Sequence, residues 1–292
     1  MLAIFAGLVI PKSLIDDHLL FFSVALILAG VPHGASDYLI FKKLTFYFQA
    51  KVNVFRFYFF YIVLIGLYVL TWYYFSVAAF VAFLVISAYH FGQSNWSTIS
   101  FKNKFQEIFT VLFWGIGIIG IPVLIYFDQA SLIIFEIVGV QPVLSDTNKW
   151  AILFLLVFGN VANIGFLAEN NIIDLEKCKK EIANFLLLVV LFFTTPLLIG
   201  FGIYFVFWHS VTAVMDQYKI IRSKDKSFSF KKYLKAIVPL SIMAFIGLAL
   251  LYFFLGNAKD EYLNLGILFF FISVITVPHA ILMDLFYQTD TN

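Results

Sequence analysis

Polar residues in this chain are sparse and bunched, and long apolar runs lie between the bunches. A helix needs about 20 mostly apolar residues to cross the hydrocarbon core of a bilayer. Runs near that length fall at 19–41, 54–75, 77–97, 108–127, 150–167, 182–199, 200–216, 234–255 and 263–286. The sixth and seventh share one long run, which we split near Pro196 and Gly200. The stretch 131–140 is apolar but short, and reads as interfacial or re-entrant. No run shows the strict alternation that a membrane β-strand requires. The pattern predicts an all-α, polytopic transmembrane bundle of about eight or nine spans. It treats residues 1–292 as a single integral membrane domain. The N-terminal string MLAIFAGLVIP has no basic residue before Lys12 and no A-x-A-type site. It is expected to be an interfacial or packed segment rather than a cleaved signal.

Composition sharpens this picture. Charged residues make up 12% and hydrophobic ones 62%, with a mean hydropathy of +0.96. Soluble domains carry about 25% charge. An ordinary cytosolic enzyme, a disordered chain and a nucleic-acid binder are all excluded. Cys178 is the single cysteine, which excludes a disulfide framework and any Cys-built zinc or iron–sulfur site.

Charge position sets orientation. Sixteen of the 19 basic residues fall in alternate loops: 42–56, 102–104, 177–180 and 219–235. The other side keeps only Lys12, Lys149 and Lys259. By the positive-inside rule the N-terminus lies outside and the C-terminus in the cytoplasm. The expected location is the cell (inner) membrane, crossed many times.

Four of the five histidines lie inside spans: His33, His90, His209 and His279. His18 sits ahead of the first span beside Asp16 and Asp17, and reads as interfacial. All four intramembrane histidines belong to spans running the same way. Each stands roughly seven or eight residues before the cytoplasmic end, about 11 Å deep. One buried histidine reads as a packed, hydrogen-bonded side chain. Four at one depth read as a shared metal site in a bundle core. Imidazoles suit Fe, Cu, Zn and Ni. Four neutral nitrogens hold Fe(II) without burying further negative charge.

Polar neighbours accompany these histidines. Asp37 follows His33 by four, on one helix face, and is the best candidate to support a ligand. Gln93, Ser94 and Asn95 follow His90, while Asp216 and Asp284 lie nearer the interface. Pro32 and Pro278 directly precede His33 and His279, where a kink can aim a ring inward. Gly30 and Gly34 flank His33 and are expected to admit a close helix neighbour. The mid-span aromatics Phe55, Phe57, Phe59, Phe60, Phe192, Phe193, Phe269, Phe270 and Phe271 are expected to be mostly lipid-facing bulk and packing, with a subset lining an apolar tunnel.

The strings GVPHGASD (30–37), SAYHFGQSN (87–95), FWHS (207–210) and TVPHAILMD (276–284) resemble the bacterial and archaeal β-carotene 15,15′-dioxygenase family of the Brp/Blh type. The resemblance runs the whole chain in order and spacing. It implies a non-haem iron enzyme of the membrane that cleaves the central double bond of β-carotene with O2. Two retinal molecules result, and a microbial rhodopsin is the expected recipient. Two positions depart. The family's third motif is H-S-x-x-H, and Ala213 stands at its second histidine. The second motif ends in Asp, and Asn95 stands there. The placement by depth assigns the metal to His33, His90, His209 and His279.

Other classes stay open at this point. They are a bis-histidine haem or quinone carrier, a proton-relaying transporter, and a relative that acts on another carotenoid or only binds it. A membrane desaturase is excluded by the absence of any HxxxH string.

Overall fold

The structure is a computed structural model that describes residues 21–22, 25, 29–47, 53–255 and 261–290. The N-terminal segment, Lys12, His18, Lys51, Lys259 and part of the predicted span 19–41 lie outside the described residues. All regular elements among the described residues are helical. They are α1 (Val31–Gly34), α2 (Asp37–Tyr47), α3 (Val54–Tyr74), α4 (Ser76–Trp96), α5 (Lys104–Ile125) and α6 (Phe127–Val138). After these come α7 (Asp146–Glu169), α8 (Leu175–Thr194), α9 (Leu197–Tyr204), a π-turn (Phe205–Ser210) and α10 (Val211–Lys224). Two long helices close the chain, α11 (Phe230–Leu255) and α12 (Glu261–Asp290).

Among the described residues, six helical stretches are long and apolar enough to cross a membrane, where the apolar pattern predicts about nine. The predicted runs 182–199 and 234–255 lie largely within α8 and α11. The first seven residues of α8, Leu-Glu-Lys-Cys-Lys-Lys-Glu, carry enough charge to cut its apolar length short. Two boundaries differ from the pattern and one agrees with it. The first run is interrupted at Ala35–Ser36 and continues to Tyr47. The long run does break near Pro196, at Thr195–Pro196, as its split predicts. The short stretch at 131–140 belongs to the 12-residue helix α6.

Local chemistry fixes many of these ends. Asn53, Asn103, Ser145 and Asp174 each accept a hydrogen bond from the backbone N–H three residues on, so α3, α5, α7 and α8 are capped. Helix α6 stops at Gly139, whose φ of 71° is the left-handed conformation glycine takes without strain.

Helices α4 and α5 make the closest approach. A Cβ at Gly92 would stand 1.8 Å from the Val111 carbonyl oxygen, and one at Gly115 would stand 1.7 Å from that of Ala88. Glycine at both points lets the backbones touch. Around this seam pack Trp96, Trp114, Ile118 and Phe185, all buried. The 30-residue α12 threads the molecule and contacts α2, α3, α4, α6 and α11. Phe55, Tyr73, Phe105 and Phe154 point outward, a surface suited to hydrocarbon rather than water.

Candidate metal centre

His33 sits in the single turn α1, with Pro32 in the first turn, where its missing N–H costs no bond. The Ser36 hydroxyl donates to the His33 carbonyl at 2.8 Å and helps close that turn. The chain restarts as α2 at Asp37. Asp37 is therefore not one helical turn beyond His33 on a continuous face, as the spacing suggested. It reaches across to α12 instead. The His279 Nδ1–H donates to Asp37 Oδ1 at 2.6 Å, and the Tyr61 hydroxyl donates to Asp37 Oδ2 at 2.8 Å. The expected support for a ligand histidine is present, but it serves His279.

The four predicted histidines are all buried and meet. Ring centroids of His33 lie 4.6 Å from His279, 5.0 Å from His209 and 6.1 Å from His90. The His90 ring lies 4.9 Å from His209 and 5.0 Å from His279. Nε2 atoms of His33 and His279 face each other at 3.0 Å. His33, His90 and His279 bring one nitrogen each within 4.8 Å of one another, so these three could hold a metal ion together. His209 comes from the π-turn, an element that sequence periodicity did not reveal, and packs against Phe91 at 4.6 Å.

The donor set fits an ion. Both nitrogens of His90, and Nδ1 of His33 and of His209, are buried with no hydrogen-bond partner. Such orphans cost about 1–3 kcal/mol each. An ion held amid the rings would give one nitrogen of His90 a partner. The chemistry of the site is all imidazole, with Asp37 the carboxylate hydrogen-bonded to it.

Other expected residues fall elsewhere. Asp284 accepts from Gln93 at 2.7 Å and from Tyr89 at 3.2 Å, linking α12 to α4 next to the histidines. Asp216 pairs with Lys219 at 3.3 Å, away from the centre. Asn95 donates to the buried Glu181 at 3.3 Å, and Lys177 pairs with the same carboxylate at 3.0 Å. Ala213 is buried and outside the cavity lining, so the four rings gather without position 213. Gly34 does not admit a helix neighbour, for a Cβ there would meet nothing within 4 Å. It opens instead onto a cavity of about 930 Å3 that all four histidines line. Phe57, Phe269 and Phe271 line it as well, whereas Phe192 is core and Phe55, Phe59, Phe60 and Phe193 are exposed. Tyr61 was missed, because a tyrosine in an aromatic-rich run carries no distinguishing signal.

Fold and site together define an apolar helical protein with a buried imidazole cluster able to hold a metal, opening on a large apolar cavity. The chain belongs to the beta-carotene 15,15′-dioxygenase family, whose model matches residues 24–287. It is 25% identical over 263 residues to the beta-carotene 15,15′-dioxygenase of uncultured marine bacterium 66A03, covering 89% of this chain and 90% of that relative. No solved structure matches the chain.

Proposed function

We propose that this protein is a membrane non-haem iron dioxygenase that cleaves the central 15,15′ double bond of β-carotene with O2 to give two all-trans-retinal. The observation that carries this reading is the meeting of four buried imidazoles on the wall of an apolar cavity, in a chain of this family. His33, His90, His209 and His279 hold the metal. Bound Fe(II) supplies the redox chemistry by which O2 is activated. Asp37 takes the Nδ1–H of His279 and leaves Nε2 free to bind. Tyr61 fixes the other oxygen of that carboxylate. The cavity walls hold the alkene beside the cluster and keep water away, so positioning provides selectivity. No general acid–base pair is needed for alkene cleavage.

The chain acts as one integral domain of the inner membrane, its C-terminus in the cytoplasm. Its substrate arrives from the lipid bilayer, and its retinal passes to a microbial rhodopsin. The test is expression in a bacterial host that accumulates β-carotene, with iron and air supplied, followed by pigment chromatography. The expected result is loss of β-carotene with formation of retinal. Intact β-carotene beside well-inserted, iron-containing protein would overturn the assignment.

A further inference from the structure

The cavity is chemically lopsided. Away from the histidines much of its wall is Phe80, Phe83, Ile133, Leu197 and Leu268, which offer no hydrogen-bond donor. Where α2 and α3 form the wall, the lining includes Tyr38, Tyr58 and Tyr61. Tyr61 is committed to Asp37. Tyr38 and Tyr58 are not committed: their rings stack at 5.9 Å and 17°, and neither hydroxyl has a hydrogen-bond partner among the described residues. This sets them apart from Tyr68, Tyr89, Tyr126 and Tyr233, whose hydroxyls all bond to protein oxygens. Both residues are half-buried and line the cavity.

Their placement relative to the centre is specific. Tyr58 stands three residues before Tyr61 on α3, one turn along the same face. Tyr38 follows Asp37 directly on α2. Hydrogen bonds run from His279 through Asp37 to Tyr61, and the tyrosine pair flanks these two residues along α2 and α3. A hydrocarbon polyene has no acceptor for these hydroxyls. Each product of its central cleavage has one, the new aldehyde oxygen, formed at the cluster itself.

We propose that Tyr38 and Tyr58 form a carbonyl-binding subsite, which takes the terminal oxygen of an apolar aldehyde as it leaves the centre between α2 and α3. The proposal rests on the cleavage reading above. A donor pair on the same cavity wall as Tyr61 favours product over substrate there, and draws the aldehyde end away from the histidines. Tyrosines at membrane interfaces also bond to lipid head groups, and the test separates the two roles.

The test is ligand binding to the full-length purified protein without oxygen, read by quenching of tryptophan fluorescence. The probes are all-trans-retinal and the same polyene skeleton ending in a methyl group. One hydrogen bond of this kind corresponds to roughly a two- to tenfold preference. The wild type is expected to bind the aldehyde several-fold tighter than the hydrocarbon. Tyr58→Phe is expected to shrink that preference, and Tyr38→Phe with Tyr58→Phe to abolish it. Equal binding of the two probes by the wild type would overturn the subsite. So would a preference unchanged in the double variant, the result expected of interfacial tyrosines. If the double variant does not fold, the wild-type comparison and the Tyr58→Phe single variant still decide. Failure of the parent reading looks different: β-carotene stays intact in cells while the tyrosine-dependent preference for aldehyde persists.

Discussion

Asp37 shows what spacing reveals and what it hides. Its distance of four from His33 marked it as the carboxylate of the site, and it is bonded to a site histidine. The partner was misassigned because a turn interrupts the helix at Ala35–Ser36. The short bond to His279 makes a direct prediction. Asp37→Asn is expected to weaken iron retention about 10–100-fold, measured by competition with a calibrated chelator. An unchanged affinity would show that Asp37 does not support the centre. Asn95 shows the converse. It departs from the family's Asp, and its amide donates to buried Glu181. An aspartate there would set two carboxylates face to face. Asn95→Asp is therefore expected to lower stability by about 1–3 kcal/mol. Adding Glu181→Gln is expected to recover most of the loss, as read from melting midpoints in detergent. The compensating residue was invisible in sequence because it lies 86 positions away, on α8.

At the scale of elements, most helices could be read from apolar runs, since length and hydropathy decide what can cross hydrocarbon. The two irregular pieces that carry His33 and His209 could not. The string FVFWHS continues an apolar run, so nothing in its composition marks a π-turn. Such turns recur at functional sites, because widening the helix re-aims a side chain. The α4–α5 seam is a second element-level feature, and it carries His90. Gly115→Ala places a methyl group against the Ala88 carbonyl, two residues from His90. It is expected to cost about 1–3 kcal/mol or more by overpacking. It is also expected to lower iron per chain, because α4 must shift. Full iron content with unchanged stability would show that the seam does not hold His90 in place.

For the whole molecule, the meeting of the four histidines was legible because the alternating pattern assigns them one depth in spans that run one way. The cavity was not. Which of the 58 aromatic residues line it depends on how α3, α4, α6, α9 and α12 pack, and no single run encodes that. The topology can be tested by thiol labelling of intact cells in a Cys178→Ser background. Val143→Cys is expected to react with an impermeant maleimide from outside, and Ser227→Cys only after lysis. The reverse result would overturn the orientation. The central claim is that His33, His90, His209 and His279 make one iron centre and that this centre cuts β-carotene. Its most direct test is iron content and retinal yield measured together, on purified wild type and on the four single His→Ala variants. One iron per chain and two retinals per β-carotene are expected in the wild type, with both lost in each variant. A variant that keeps both iron and cleavage, or an iron-loaded wild type that leaves β-carotene whole, would contradict it.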